Sequence, residues 1–259
     1  MNKILALAGV IIKELYRRKD FYVLFVLTAL LTVAAGAVNF FHDDKIIRIV
    51  KDACLLLIWI SSLVIAIVTT ARQIPAEREA RTIFPLLAKP VSRGQVVAGK
   101  FLGCWLATGV ALVVFYFFFA IITGSHEHIW PVAVYFQAAW MQWCMLAIVI
   151  AMVLLGSIYF AAPSSTTTIS FVVVAGILGL GTHLNTIALS QPQPVQSMLA
   201  ALYFILPHLE WYDLRDFVVY DQKLVPWLAL LKATFYAAVW TGIFLLLAWA
   251  GFRRKTLTT

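Results

Sequence analysis

The residues that most resemble a catalytic motif lie between Gly94 and Phe101. Their sequence, GQVVAGKF, fits the phosphate-binding pattern G-x-x-x-x-G-K. A nucleotide-binding loop places a Ser or Thr after the lysine to hold Mg²⁺, but here that residue is Phe101. Such a loop also follows a strand of a soluble α/β domain, whereas the residues after Phe101 are strongly apolar. We therefore do not expect this chain to bind a nucleotide.

Two other short clusters contain residue types that occur in metal sites or at nucleophilic centres. His126, Glu127 and His128 are adjacent, but a metal site needs three or four converging ligands, and neighbours on an extended chain point to opposite faces. We interpret them as a hydrated loop and predict no metal site. The hydroxyl residues Ser164–Thr168 have no His or Asp nearby to activate a nucleophile. We predict instead that they cap the helix that follows.

The composition identifies an integral membrane protein. Of 259 residues, 63% are hydrophobic and 12% are charged, whereas soluble domains have roughly 45–50% apolar and about 25% charged residues. This balance excludes a soluble enzyme, a secreted disulfide scaffold and a disordered chain. The net charge of +8 then indicates orientation in a bilayer and not nucleic-acid binding. We expect the three cysteines, Cys54, Cys104 and Cys144, to be packing residues.

A helix needs about 20 apolar residues to cross the hydrocarbon core of a bilayer. Six stretches meet this requirement, and we number them spans one to six: 21–38, 53–71, 101–122, 133–156, 168–187 and 226–250. The predicted fold is an all-α integral membrane protein with a single domain over 1–259.

The distribution of Lys and Arg predicts the orientation. Fourteen of them lie before span one, between spans two and three, or after span six, and five lie in the first and last loops of the opposite side. Cytoplasmic loops carry the excess of these residues. We therefore place both termini in the cytoplasm.

Residues 1–20 predict an amphipathic helix. Ile4, Ala8 and Ile11 share one face, and Lys13 and Arg17 lie opposite. We expect this helix to lie on the cytoplasmic leaflet, with its basic face towards the lipid head groups.

The cytoplasmic segment 72–100 is the longest and most charged. Pro75 predicts the start of a short helix, and Glu77 and Arg81 are spaced to form an ion pair. Gly94 predicts a turn before span three begins near Gly99. Docking to a cytoplasmic partner and a solvated loop both remain open at this point.

Small residues recur at intervals of four in two spans. Such spacing lets a neighbouring membrane helix approach closely. The residues are Gly99, Gly103, Ala107 and Ala111, and, less extensively, Ala175 and Gly179.

The external segment 188–225 is too long to be a simple connection. Its apolar run Met198–Leu206 is too short to span a bilayer, so we predict a re-entrant or interfacial helix. The acidic and aromatic residues that follow suit either an extracytoplasmic partner or an ordinary interfacial aromatic belt.

Three sequence segments resemble the permease subunits of ABC type-2 exporters. They are IIKELYRRKDFYVLF near the N-terminus, R-x-I-P-x-E-R-E-x-R-T at Arg72–Thr82, and LLAKPVSRGQVVAGKFLG at Leu86–Gly103. The branch most similar contains the permeases of multicopper-enzyme and nitrous-oxide-reductase maturation systems. A further match is Pro207–Asp213, where His208 replaces the Asn of the family's Pro-Asn-hydrophobic-Glu-aromatic run.

The resemblance implies a dimer in the bacterial inner membrane, formed with a second copy or a paralogous permease. It also implies a separate cytoplasmic ATPase dimer that binds ATP and Mg²⁺, so that this chain itself holds no cofactor. A coupling helix would contact that ATPase through Glu77, Arg78, Glu79, Arg81 and Thr82. Independently of the resemblance, the turn that contains Ser164–Thr168 is a candidate for a second, smaller ATPase contact. Spans one, two and five would form the dimer interface. The matching external residues are Pro207, His208, Glu210, Trp211 and Asp213.

The spans contain no Asp or Glu and many aromatic residues. We therefore expect a lipid-like or amphipathic substrate that moves outwards, and not a free metal ion, which needs convergent ligands along its path. Two alternatives remain: a mechanical anchor that couples an ATPase to an external complex without transport, and an ion-coupled carrier. The carrier is disfavoured because it needs ionisable groups within the spans.

Overall fold

The computed structural model describes residues 2–17, 26, 44–80, 92–127, 131–160, 162–190, 192–220 and 224–254. Within these ranges all regular structure is helical, as the sequence predicts. The helices are α1 (Asn2–Arg17), α2 (Asp44–Ala71), α3 (Pro75–Glu79), α4 (Arg93–Glu127), α5 (Val132–Tyr159), α6 (Pro163–Ser190), α7 (Val195–Ile205), a 3₁₀ helix (Leu209–Tyr212), α8 (Arg215–Val219) and α9 (Trp227–Arg254).

Five of the described helices are long and apolar enough to cross a bilayer, namely α2, α4, α5, α6 and α9. They coincide with predicted spans two to six, whereas nearly all of span one (21–38) lies outside the described residues. Two helices begin well before their apolar stretches, α2 at Asp44 and α4 at Arg93. A helix continues wherever its backbone hydrogen bonds continue, so hydropathy locates the apolar part and not the helix ends.

The turn predicted at Gly94 is wrong, because α4 begins at Arg93 and includes this glycine. Ser92 and Gln95 form a reciprocal cap: the backbone N–H of Gln95 donates to Ser92 Oγ (3.2 Å), and the backbone N–H of Ser92 donates to Gln95 Oε1 (3.0 Å). This is a capping box, in which two side chains accept hydrogen bonds from two backbone N–H groups that have no partner within the helix. Gly94 instead gives room to the side chain of Trp249 on α9.

The capping role predicted for Ser164–Thr168 is also wrong. Helix α6 already begins at Pro163, so these residues lie in its first turns. The hydroxyl groups of Thr166 and Thr167 donate to the carbonyl oxygens of Ala162 and Pro163, four residues earlier, at 3.0 and 2.8 Å. The proline explains the start of the helix, because the first helical position needs no N–H group.

Helix α5 is the centre of the bundle. Every residue from Cys144 to Ala151 is buried, and the helix packs against α2, α4, α6 and α9. Its sequence is apolar on all faces, which is the pattern of a helix with neighbours on every side. Helices α6 and α9, by contrast, are buried on one side and expose Val172, Phe235 and other large apolar residues.

Paired polar groups join α5 to its neighbours. Gln142 donates from Nε2 to Ser62 Oγ on α2 (2.7 Å) and accepts at Oε1 from the hydroxyl of Tyr116 on α4 (3.0 Å). Trp105 on α4 and Trp143 on α5 stack with ring centroids 4.3 Å apart, and each indole N–H donates to the other residue's carbonyl oxygen at 3.1 Å. Buried polar groups are stable in a membrane when they have such partners.

Helix α1 packs along the first turns of α4, through its apolar face. Ala8 and Ile11 are buried there. A Cβ atom at Gly99 would lie 2.7 Å from Leu7 Cβ, and one at Gly103 would lie 2.8 Å from Ile11 Cβ. The two glycines thus give α1 room to approach α4 closely, and the apolar face of α1 contacts protein.

We expect Gly103→Ala to displace α1, because the new methyl group meets the side chain of Ile11 and the carbonyl oxygen of Ala8. Overpacking of this kind costs about 1–3 kcal/mol. The free energy of unfolding in detergent and the amide exchange of α1 measure the effect. Gly242→Ala is the matched control, since a Cβ there has no heavy atom within 4 Å. Equal stability of the two variants would contradict the close packing of α1.

Candidate functional site

Helix α3 lies in the short connection between α2 and α4. Pro75 occupies its first turn and is buried, and Glu77 lies near the positive end of the helix. The helix has five residues, which is too short to be stable in isolation. Contacts with the ends of the longer helices must therefore hold α3 in place.

Lys100 on α4 provides one of these contacts. Its side chain is 3% exposed, and its Nζ lies 2.7 Å from Glu77 Oε1. The same ammonium donates to the carbonyl oxygen of Gln73 at 2.9 Å. A buried charge is stable only when it is paired and hydrogen-bonded, and both conditions hold here.

Arg78, the next residue of α3, contacts α5. Its Nη1 donates to the carbonyl oxygen of Ile158 at 3.0 Å, in the last turn of α5. The final carbonyls of a helix lack partners within the helix, and a cation there also favours the helix dipole. Burial lowers the pKa of the Arg78 guanidinium. Its Nε and Nη2 are buried and have no hydrogen-bond partner among the described residues.

Arg93 makes the equivalent contact with α9. Its Nη1 donates to the carbonyl oxygens of Phe252 and Arg253, at 2.7 and 3.0 Å. The guanidinium also lies over the Phe252 ring, 5.6 Å from its centroid. Two arginines therefore satisfy the C-terminal carbonyls of two long helices at the end of the bundle that carries α3, which we call the α3 end.

The residues predicted to contact an ATPase divide into three groups. Glu77 and Arg78 are half-buried and contact this chain's own helices, as described above. Glu79 is exposed. Arg81 and Thr82 lie outside the described residues, so the predicted Glu77–Arg81 pair stays a prediction. The sequence predicted no role for Lys100 or Arg93, although Lys100 comes five residues after the end of the capping box Ser92–Gln95 and is therefore well inside a helix.

The small-residue positions fall in two different environments. On α4, Ala107 and Ala111 are buried, on the same helix as the glycines that receive α1. On α6, Ala175 and Gly179 are exposed, and a Cβ at Gly179 would meet no heavy atom within 4 Å. The face of α6 that carries them is uncovered by the described part of the chain.

At the opposite end of the bundle, His208 is buried among aromatic side chains. Its Nδ1 lies 3.0 Å from Glu210 Oε1, and both side chains are largely buried. The imidazole stacks on the exposed ring of Trp211, with centroids 4.6 Å apart, and contacts Tyr203 at 4.3 Å. Glu210 fits against α6 because Gly181 has no side chain: a Cβ there would lie 2.5 Å from Glu210 Oε2.

The segment after His208 is fastened to two other helices. The Tyr212 hydroxyl donates to the carbonyl oxygen of Ala233 on α9 at 2.8 Å. Asp213 and Arg215 form an ion pair at 2.7 Å, and the guanidinium lies over the ring of Trp59 on α2, 5.4 Å from its centroid. The hydrogen bonds to Asp213 raise the pKa of Arg215. With buried Pro207 at its start, this segment, Pro207–Arg215, is named the external strap after the position that the sequence predicts for it.

Two apolar cavities open between the long helices. One of about 440 Å³ lies between α4 and α5, and one of about 540 Å³ lies between α5 and α9. Phe136 and Trp140 line both cavities. Among the described residues no group of three or more His, Cys, Asp and Glu side chains is arranged to hold a metal ion. The side chains of His126 and Glu127, and all of His128, lie outside the described set.

We expect Tyr212→Phe to weaken the attachment of the external strap to α9. The loss of one hydrogen bond lowers stability by about 0.5–1.5 kcal/mol. Amide exchange of residues 208–216 and the midpoint of thermal unfolding measure this loss. Tyr220→Phe removes a hydroxyl from an exposed tyrosine nearby and serves as the control. If both variants exchange at the wild-type rate, the Tyr212 bond does not hold the strap.

Comparison with known families identifies the chain. The family model described as ABC-2 family transporter protein matches residues 10–257. No curated protein matches the chain. The family match extends over all five long helices, α3 and the external strap. The chain therefore belongs to the ABC-2 transporter family, as a multi-pass membrane permease subunit of an ABC transporter that functions with an ABC ATPase.

Proposed function

We propose that this permease is part of an exporter and that its cytoplasmic ATPase docks on α3 and the residues that follow it. The observation that carries the proposal is the position of α3, which contacts the ends of α2, α4 and α5 while Glu79 and Ala80 stay exposed. The α3 end then faces the cytoplasm of a bacterium, with both termini on that side. This orientation agrees with the excess of Lys and Arg in the corresponding loops.

A second permease copy, or a paralogue, packs against α6 in this proposal. That helix exposes Val172, Val173 and Leu180 together with Ala175 and Gly179. Small residues beside β-branched ones permit close helix contact in a membrane. Gly176 and Gly179 both have open space where a Cβ would be, so a partner helix has room to approach.

The substrate that fits the structure best is lipid-like or amphipathic. The two cavities around Phe136 and Trp140 are lined almost wholly by apolar side chains and lie between helices. Such surfaces bind acyl chains and not hydrated ions, which need convergent oxygen, nitrogen or sulfur ligands. The likeness to maturation permeases therefore does not lead us to propose free copper as the cargo.

A mechanical anchor is the second candidate function. The external strap favours it, because contacts with α2, α6 and α9 brace this segment while Trp211 stays 53% exposed. A rigid, exposed aromatic side chain is a common centre of protein–protein contacts. An extracytoplasmic accessory protein would bind there, and ATP turnover would move the strap instead of a substrate.

Glu79→Arg tests the docking proposal. The side chain is exposed on α3, and a reversed charge within an interface costs several kcal/mol. We expect the ATPase to be lost from the purified complex while the permease still inserts. Asp216→Arg is the matched control, because Asp216 is exposed at the opposite end of the bundle. Full ATPase recovery with Glu79→Arg would place the docking surface elsewhere.

Reconstituted vesicles distinguish the candidate functions. We expect the permease–ATPase complex to move NBD-labelled phosphatidylethanolamine between leaflets when ATP is supplied, and an ATPase-dead partner to abolish the movement. ATP hydrolysis without movement of the probe would favour the anchor. Uptake driven by an ion gradient in the absence of the ATPase would favour a secondary carrier, and ATP-dependent uptake of copper would contradict the proposed substrate class.

A further inference from the structure

Lys100 carries a charged side chain at a buried position of α4, where an apolar residue is the usual choice. It lies on α4 near the end that packs against α1, and 2% of the residue is exposed. An apolar side chain of similar length would fill the same space without the free-energy cost of burying a charge. The ammonium is nevertheless retained there by two acceptors, Glu77 Oε1 at 2.7 Å and the Gln73 carbonyl oxygen at 2.9 Å.

The two acceptors lie on either side of the corner between α2 and α3. Gln73 lies two residues after the end of α2, and Glu77 belongs to α3. Gln73 also donates from its own Nε2 to the Thr69 carbonyl oxygen at 3.3 Å. A single ammonium on α4 therefore joins α3 and the end of α2 to the start of the third predicted span.

Arg78 completes the arrangement from the next position of α3. Its bond to the Ile158 carbonyl oxygen reaches the last turn of α5. Consecutive residues of a helix point in directions about 100° apart, so Glu77 and Arg78 hold two different long helices. Helix α3 cannot shift relative to α4 and α5 without separating the Lys100–Glu77 ion pair or the hydrogen bond of Arg78, both of which are partly buried.

We propose that Lys100, Glu77 and Arg78 form a latch that makes α3 and the adjoining ends of α4 and α5 move as one body. The proposal rests on the proposed function, in which the ATPase applies force to α3. Lys100 and Arg78 are positioning residues in this scheme, because they act by holding α3 against α4 and α5. Through α5, the motion reaches the long helices that pack on it, namely α2, α6 and α9 as well as α4.

The latch explains why Glu77 and Arg78 face inwards on a helix expected to bind a partner. Force on a five-residue helix would unwind it unless side-chain contacts carried the load to longer elements. An ion pair also differs from apolar packing in this respect: its hydrogen bonds fix both direction and distance, whereas apolar side chains slide past one another. The charged pair Lys100–Glu77 therefore makes the attachment of α3 to α4 rigid.

Electron paramagnetic resonance distances test the latch in full-length permease in nanodiscs. The native cysteines are replaced by serine. One pair of spin labels, at Ala80 and Ala162, measures the distance from the exposed end of α3 to the residue just before α6. A second pair, at Val132 and Met198, measures a distance at the opposite end of the bundle. All four residues are exposed. The first pair is measured in the permease alone and the second in the complex with its ATPase, with and without ATP.

We expect a narrow Ala80–Ala162 distance distribution in the wild type and a broad one in Lys100→Met. The ATP-driven change in the Val132–Met198 distance should be lost in that variant although the ATPase still co-purifies. The double variant Lys100→Met with Glu77→Leu removes both charges, so the half-buried Glu77 carboxylate does not lose its cation, and the test stays valid if the single variant fails to fold. Arg254→Met, which removes an exposed cation at the same end, should change neither distance.

The two proposals fail in different ways. A wild-type permease that binds no ATPase at α3 refutes the proposed docking. The Ala80–Ala162 distance distribution, which is measured without the ATPase, then still supports or refutes the rigid attachment of α3 to α4 and α5. Unchanged distributions in Lys100→Met and in the double variant overturn the latch. An ATP-driven change at the opposite end that persists in both variants, with the ATPase bound, overturns its role in transmission.

Discussion

The packing of α5 inside the bundle is the constraint on which the other contacts depend. Its central turns are buried on all sides, so the positions of α2, α4, α6 and α9 are set by how each fits against one helix. Polar residues on α5 must then find partners on those neighbours, since no water reaches them. Gln142 does so with Ser62 and Tyr116. Gln137 pairs both ends of its amide with the backbone of Val225, each at 3.0 Å.

The basic residues of the α3 end have a structural role in addition to the membrane orientation that they predict. Their distribution along the sequence predicts which side of the bilayer a loop occupies. In the structure Arg78 and Arg93 donate to the last carbonyls of α5 and α9. The peptide dipoles make these helix ends negative, and α5 itself has no basic residue in its last turn. The positive charge supplied by neighbouring segments therefore stabilises the helix termini.

The parts of the fold that follow from local composition were predictable, and those that follow from tertiary contact were not. Hydropathy located the apolar parts of α2, α4, α5, α6 and α9, and Pro75 marked the start of α3. The spacing of Gly99 and Gly103 indicated a close helix contact but not the identity of the partner, α1, because a small residue leaves room without specifying what enters it.

The polar contacts of the candidate site were harder to predict. The spacing of Glu77 and Arg81 predicted one ion pair, which the described residues do not test, but it gave no sign of the contact between Glu77 and Lys100, 23 positions away. A pair distant in sequence leaves no periodic signal. Gly94 was misread for a related reason: a glycine alone suggests a turn, but the capping box at Ser92 and Gln95 starts the helix one residue earlier.

The stacked indoles of Trp105 and Trp143 have an optical consequence. Two near-parallel rings with centroids 4.3 Å apart, held by reciprocal hydrogen bonds, couple their electronic transitions, and this coupling contributes to the ultraviolet circular dichroism of the protein when the two transition dipoles are not parallel. The amplitude of this contribution depends steeply on separation and angle. Since one ring belongs to α4 and the other to α5, and Gly109 leaves space for the second, the protein contains an intrinsic chromophore pair whose ellipticity reports the distance between these two helices without any added dye.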